Sequence, residues 1–168
     1  MMTNTIKILD SINMKIGSFF SWATLILVGL IVFDVVLRYV FKVSYIWLSE
    51  VEVYVFALIF LMGIGYTLLH DQHVRVDVFY EKWSKRRRAW INIFGTMFFL
   101  IPWCIVAILS AWKFASFSLS FNEGSAQPGG LPCLYILKFL IVLAFVLLLI
   151  QGIVLLLKSI LTLTSEKL

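Results

Sequence analysis

Charged residues are scarce in this 168-residue chain: they make up 14% of it, whereas hydrophobic residues make up 62%. Soluble domains are roughly 25% charged and about half apolar, and a particle this small leaves much of its surface in water. The excess of apolar surface excludes a soluble enzyme and a disordered protein. A net charge of +5 is too sparse for a nucleic-acid-binding surface, so we expect no nucleic-acid partner. The class that remains is an integral membrane protein.

Cysteine and histidine are also rare. Cys104 and Cys133 are too few for a disulfide framework and fall at different expected depths, so two free thiols are predicted. His70 and His73 share one polar connection instead of facing each other across helices, which disfavours a haem site. Hydrolase, kinase and nucleotide-binding motifs are lacking. We therefore expect no catalytic residues, no cofactor and no metal in this chain.

The chain does contain long apolar runs. Four of them carry no charged residue: 16–33, 53–69, 89–112 and 139–157. A helix needs about 20 apolar residues to cross a hydrocarbon core about 30 Å thick, and continuous runs favour helices over barrel strands. The sequence predicts an all-α membrane protein with a single integral membrane domain over residues 1–168. The predicted spans cover residues 16–38, 47–70, 89–113 and 134–158.

The positive charges predict how the chain lies in the membrane. With four spans, ten of the 14 lysines and arginines fall on the side of the two termini and the second connection, which places both termini in the cytoplasm. A basic run, interpreted as an anchor at anionic lipid headgroups, consists of Lys85, Arg86, Arg87 and Arg88. Residues 3–15 alternate apolar and charged positions at helical spacing, which predicts a short amphipathic helix at the inner surface.

Several acids and one arginine lie near the ends of the first two spans. Asp34 and Arg38 are four residues apart, on one helix face, and can pair. Glu50 and Glu52 open the second span. Since the connection is short, Arg38 should face Glu50, which predicts a clasp of Asp34, Arg38 and Glu50. A packing feature and a partner contact are the open interpretations; a proton relay is disfavoured because no acid lies at mid-depth.

The third connection, residues 120–132, is the longest outward-facing polar segment. Gly129, Gly130 and Pro132 are expected to form turns there, with Pro132 in the first turn of the last helix. A partner that arrives from outside would meet this loop and the short connection before Trp47.

Pro102 should kink the third span. Small residues should let helices approach closely, and they include Gly63, Gly65, Gly95 and Gly152.

The order of these motifs resembles a known family. The stretches that carry the resemblance are residues 36–41, 47–50, 63–65, 73–77 and 130–132. Together with four spans they resemble the small membrane (Q) subunit of tripartite ATP-independent periplasmic (TRAP) transporters, over about residues 16–157. That family often has two adjacent acids after the tryptophan, whereas here Val51 separates Glu50 from Glu52. Which acid takes the family role is therefore left open.

The resemblance implies a scaffold subunit in the bacterial inner membrane. A large sodium-coupled permease subunit would perform uptake, and a periplasmic substrate-binding protein would capture the solute, typically a carboxylate. This subunit would bind the permease, help dock the binding protein and need no cofactor. The residues expected at the partner interfaces are Asp34, Arg38, Trp47, Glu50, Glu52, Gly129, Gly130 and Pro132.

Two other functions remain open for a protein with four apolar spans. A stand-alone multidrug-type exporter would need a titratable acid within a span. A membrane anchor subunit of another complex, such as a quinone-linked redox complex, would need haem ligands at depth.

Overall fold

The computed structural model describes residues 2–70 and 83–165, and in these ranges it contains helices and loops but no strand. The helices are α1 (Met2–Ser21), α2 (Ala23–Tyr39), α3 (Ile46–Leu69), α4 (Lys85–Gly95), α5 (Ile101–Ser120) and α6 (Leu134–Ser165), with a π-helical turn, Thr96–Leu100, between α4 and α5. Four helical segments of this part of the chain are long and apolar enough to cross a membrane: Ile6–Tyr39, Ile46–Leu69, Lys85–Ser120 and Leu134–Thr164. The predicted all-helical fold with four spans is confirmed.

The longest helix, α6, lies at the centre of the bundle. It packs against α1, α3, α4 and α5, whereas α2 packs mainly on α3. One apolar cluster joins Met62 of α3 to Ala144 and Leu147 of α6, and a second joins α3 and α5 to α6 around the fully buried Cys104. With 32 residues and a rise of 1.5 Å per residue, α6 is about 48 Å long, so it extends beyond a hydrocarbon core of about 30 Å.

The N-terminal helix α1 is longer than the helix predicted over residues 3–15. It ends at Ser21. Around Trp22 the backbone hydrogen bonds join residues three apart in place of four: Trp22 N–H donates to Phe19 O at 3.3 Å, and Leu25 N–H donates to Trp22 O at 3.1 Å. The boundary between α1 and α2 therefore lies at Trp22, within the apolar segment Ile6–Tyr39. One face of α1 packs on α3 and α6 and is buried in the bundle.

A chain of polar contacts holds α1 on α6. Asn13, 1% exposed, donates from Nδ2 to Leu147 O at 3.3 Å and to Gln151 Oε1 at 2.9 Å. Gln151 in turn donates from Nε2 to Asp10 Oδ1 at 3.1 Å, and Lys158 Nζ lies 2.8 Å from Asp10 Oδ2. The register of α1 along α6 is thus specified by hydrogen bonds in addition to apolar packing.

Two of the small residues singled out above lie at close helix contacts. A Cβ atom at Gly65 would collide with the side chain of Asn13, and one at Gly152 would lie 2.7 Å from Leu100 Cδ2. An added Cβ at Gly63 or Gly95 has no atom of another described segment within 4 Å, so the prediction of close approach is wrong for these two glycines in the part of the chain that the structure describes.

Pro102 lies in the first turn of α5, directly after the π-helical turn. Proline lacks an N–H and its ring collides with the carbonyl four residues before it in a regular α-helix. In the π turn the N–H of Ile101 donates to Thr96 O, five residues back, which is the wider spacing of a π-helix. The sequence predicted a kink of the third span at Pro102, and the irregularity that the structure has there is this π-helical turn.

Candidate partner interface

Glu50, one turn after the start of α3, binds the loop between α5 and α6, residues 121–133. Its Oε1 accepts a hydrogen bond from Ser125 Oγ, and its Oε2 accepts one from the backbone N–H of Leu131 at 2.5 Å. Ser125 N–H donates to Leu131 O at 2.9 Å, so the two loop residues that bind the carboxylate also bind each other. Glu50 thereby ties the beginning of α3 to the centre of the loop.

Two glycines give the loop its shape, for different reasons. A Cβ atom at Gly130 would lie 2.5 Å from Ser125 Cβ and 2.7 Å from Glu50 Oε1, so Gly130 is required for space. Gly129 has φ +79° and open space around an added Cβ, so it is required for its left-handed backbone. Pro132 precedes α6, which begins at Leu134. The prediction that Pro132 lies in the first turn of that helix is wrong.

A second carboxylate fixes the beginning of the loop. Glu123 Oε2 accepts a hydrogen bond from Ser118 Oγ at 2.5 Å and pairs with Lys138 Nζ of α6. The Lys138 side chain is 10% exposed, and its ammonium lies 3.9 Å from the centroid of the Phe114 ring, a cation–π contact. Hydrogen bonds from Lys138 and then Ser118 hold the pKa of the Glu123 carboxyl below its ordinary value, because they favour the charged form.

The predicted pair of Asp34 and Arg38 is confirmed. Arg38 Nη2 lies 2.5 Å from Asp34 Oδ2; the Asp34 side chain is 7% exposed and that of Arg38 is 49% exposed. The expected contact between Arg38 and Glu50 is wrong, since Glu50 binds the loop. Glu52 is the acid within electrostatic range of Asp34 and Arg38. Residues two positions apart in an α-helix point in directions that differ by about 200°. Glu50 and Glu52 therefore lie on different faces of α3.

Three buried oxygens near the start of α3 have no hydrogen-bond partner within the described residues. They are Asp34 Oδ1, Glu52 Oε1 and the Tyr54 hydroxyl. A buried polar atom without a partner costs about 1–3 kcal/mol. The hydrogen-bonding groups where the end of α2 meets the start of α3 are therefore incompletely satisfied among the described residues.

Exposed aromatic side chains follow Arg38 along the chain. They are Tyr39, Phe41, Tyr45 and Trp47. The rings of Tyr45 and Trp47 lie 6.0 Å apart. Arginine, tyrosine and tryptophan are the residues enriched at the centres of protein interfaces, and tyrosine and tryptophan also favour the membrane–water boundary.

A cleft of about 440 Å³ opens between the start of α3 and the loop. Glu50 and Tyr54 line it from α3, Ser44 from the connection before α3, and Ser125 and Gln127 from the loop. Its wall thus combines the fixed carboxylate with hydroxyl and amide residues of two connections. Of the predicted interface residues, Glu50 lines this cleft and Gly130 lies against Glu50. Asp34, Arg38 and Glu52 form the separate cluster described above.

The basic run begins α4. Ser84 caps this helix by accepting from Arg87 N–H at 3.4 Å, and Arg88 Nε donates to Trp83 O at 2.9 Å. Lys85, Arg86 and Arg87 are exposed, as an anchor to lipid headgroups requires. His73, Arg75 and Asp77, which contribute to the family resemblance, lie outside the described residues.

Two sequence expectations concern thiols and metals. Cys104 and Cys133 are free, which confirms the prediction of unpaired cysteines. Within residues 2–70 and 83–165, no group of three or more histidine, cysteine, aspartate or glutamate side chains is arranged to hold a metal ion.

A comparison with known protein families gives a match over most of this chain. The family model described as "Tripartite ATP-independent periplasmic transporters, DctQ component" matches residues 27–162. The matched region begins in α2 and ends in α6, and it includes the Asp34–Arg38 pair, Glu50 and the loop it binds. No curated protein matches the sequence.

Proposed function

The chain belongs to the DctQ family, the small membrane components of TRAP transporters, and from this we propose its role within the transporter. It serves as a scaffold that binds and stabilises the large sodium-coupled permease subunit. It also helps to dock the periplasmic substrate-binding protein during uptake of a carboxylate-containing solute. DctQ is a family of transporter components and not of enzymes, and neither an exporter nor a redox-anchor function is favoured by any contact in the described residues.

The proposed orientation in the bacterial inner membrane has both termini in the cytoplasm. The distribution of lysine and arginine supports it, since positive charge concentrates on cytoplasmic connections. The loop 121–133 and the start of α3 then face the periplasm, where a substrate-binding protein would arrive.

The observation that carries the docking role is the double fixation of the loop. Glu50 binds its centre and Glu123 binds its beginning, while its tip at Gln127 and Gly129 is exposed. A surface that is already ordered loses less conformational entropy when a partner binds. The fixed loop is therefore suited to recurrent, reversible contact with a soluble protein.

The permease is proposed to bind the surface around Arg38. The guanidinium is held by the buried Asp34 yet half exposed, and exposed aromatic side chains follow it. The unpartnered oxygens of Asp34 and Glu52 lie beside it, so that a small rearrangement on assembly could supply them with donors. This combination of an anchored arginine and aromatic surface supports a protein contact more than a purely lipid-facing one.

Co-purification of a tagged subunit with its permease tests the first half of the proposal. Arg38→Glu reverses the charge beside Asp34 and Glu52, and it should reduce the recovered permease about tenfold. Arg38→Lys, the matched control, keeps the charge and should retain most of the complex. Unchanged recovery with Arg38→Glu would place the permease contact elsewhere on the bundle.

Site-specific photo-crosslinking tests the docking role and the orientation together. A photoreactive residue at Gln127 should crosslink to the added substrate-binding protein in intact membranes, and one at Arg86, at the opposite end of the bundle, should not. Crosslinks from position 86 and none from position 127 would reverse the proposed orientation.

A further inference from the structure

A second cleft, of about 280 Å³, lies at the other end of the bundle between α4 and α6. The α4 residues that line it come from its first two turns, and the α6 residues from its C-terminal part. They are Lys85, Arg88, Ala89, Asn92, Leu155, Lys158, Ser159 and Thr162. Arg86 and Arg87, although part of the same basic run, do not line it.

Three cations from two helices converge on this cleft. Lys85 and Arg88 enter from α4 and Lys158 from α6. Two of these side chains are already positioned: Arg88 Nε donates to Trp83 O at 2.9 Å, and Lys158 Nζ lies 2.8 Å from Asp10 Oδ2. Among the charged groups that the described residues place at the cleft, the three cations outnumber Asp10, which suits the cleft to a small anion.

The cleft also lies at the boundary between polar and apolar sequence. Ala89 and Leu155 line it on one side, and Lys85 and Thr162 on the other. These pairs are separated by four to seven residues, which is about 6–10 Å along a helix. From Ala89 onward α4 and α5 carry no charge through Trp112, and Trp90 is exposed at this level. Phosphate groups of a bilayer lie at such a boundary.

We propose that this cleft binds the phosphate of an anionic lipid headgroup. Lys85 and Arg88 contact the phosphate from α4 and Lys158 contacts it from α6, while the acyl chains lie along the apolar surface beyond Ala89 and Leu155. The lipid bridges two helices that are far apart in the chain, so it strengthens the contact of α4 with α6. This site differs from a diffuse basic anchor because only part of the basic run takes part.

Lipid retention by the full-length purified protein tests this site. Native mass spectrometry is performed after incubation with an equimolar mixture of phosphatidylglycerol and phosphatidylcholine. The wild-type protein should retain phosphatidylglycerol in preference to phosphatidylcholine. The double variant Lys85→Gln/Arg88→Gln should lose about tenfold in the retained anionic lipid, since it removes two charge-assisted contacts.

The matched control is Arg86→Gln/Arg87→Gln, which removes the same charge from the same turn outside the cleft and should keep the anionic lipid. The swap Lys85→Arg/Arg88→Lys keeps the cleft charges and should also keep it, which separates binding from folding. Equal losses in both glutamine variants, or retention without preference between the two lipids, would overturn the proposal.

The source of the phosphate is distinguished by competition. Inorganic phosphate in millimolar excess should leave the retained phosphatidylglycerol unchanged, because the acyl chains contribute to binding; displacement by inorganic phosphate would overturn the lipid assignment. The permease and the binding protein are absent from this experiment. A negative result would leave the proposed transporter role intact.

Discussion

At the residue scale, the two acids at the start of α3 divide between two sites. Glu50 accepts from Ser125 and Leu131, while Glu52 lies toward Asp34 and Arg38. The intervening Val51 places them on different faces of the helix. A pair of directly adjacent acids would lie about 100° apart, so the extra residue determines which two neighbours each carboxylate can reach.

Replacement of Glu50 by glutamine should release the centre of the loop. A glutamine amide keeps only one acceptor oxygen, so one of the two loop donors loses its partner, at a cost of about 1–3 kcal/mol. Amide hydrogen exchange of residues 125–131 should accelerate about tenfold or more. Glu52→Gln, the control, should leave this exchange unchanged, and equal acceleration in both variants would contradict the assignment.

Glu123 should make the stability of the loop depend on pH. Because its pKa is lowered in the folded protein from the ordinary value of 4.5, its stabilising contribution is complete above pH 4.5 and is lost as the pH falls through the lowered value. The melting temperature of Glu123→Gln should therefore lie below that of the wild type at pH 7. The difference should shrink as the solution is acidified below pH 4.5; a difference independent of pH would refute this linkage.

At the element scale, α1 depends on one polar residue of α6. Gln151 connects Asn13 to Asp10, and it is 2% exposed, so its loss would leave buried partners unsatisfied. Gln151→Leu should destabilise the contact by about 1–3 kcal/mol. Hydrogen–deuterium exchange of residues 6–16 should rise selectively.

The control for this variant is Thr164→Val in the same helix. The Thr164 hydroxyl donates to Ile160 O of its own helix at 3.0 Å and is exposed, so its removal should leave α1 unaffected. Unchanged exchange of α1 in Gln151→Leu would show that apolar packing alone holds this helix.

At the scale of the whole molecule, substitutions of the loop glycines should impair docking of the substrate-binding protein more than assembly with the permease. Gly130→Ala inserts a methyl group between Ser125 and Glu50, which costs about 1–3 kcal/mol and distorts the loop. Uptake that depends on the substrate-binding protein should fall more than recovery of the permease does. Gly129→Ala imposes about 1–2 kcal/mol of backbone strain and should have a smaller effect.

Gly63→Ala is the matched control, because no described residue outside the adjacent helix backbone has an atom within 4 Å of the added methyl group. In a helix interior this change should be neutral or stabilising by about 1 kcal/mol. Parallel losses of uptake and of permease recovery in Gly130→Ala would indicate general misfolding in place of impaired docking.

The sequence predicted the architecture better than the contacts. Uninterrupted apolar runs must form helices in a membrane, so the four spans follow from composition alone. Helical spacing also predicted the pair of Asp34 and Arg38, because both lie on one helix. Chain proximity suggested that Arg38 would meet Glu50, but the partner of Glu50 lies 75 residues away at Ser125.

Most contacts between distant segments had no local pattern from which they could be predicted, and the contact of Lys138 with Glu123 is an exception. Lys138 interrupts an apolar run and was a visible signal, since a cation at such a position requires an acid; Glu123 was its nearest acid in the chain. The long docked α1 escaped prediction because its polar residues resemble those of a surface helix. Only the positions of Gln151 and Leu147 show that Asn13 faces the bundle interior.

The π-helical turn has a consequence for everything that follows it in the third span. Its five-residue spacing accommodates one more residue than an α-helical turn would, which offsets the angular phase of α5 relative to α4 by about 100°. Rewinding these five residues as α-helix, with none removed, would rotate Ser118 away from Glu123 and Cys104 away from α6. The contacts of the loop 121–133 thus depend on one extra residue that is accommodated in the helix before it.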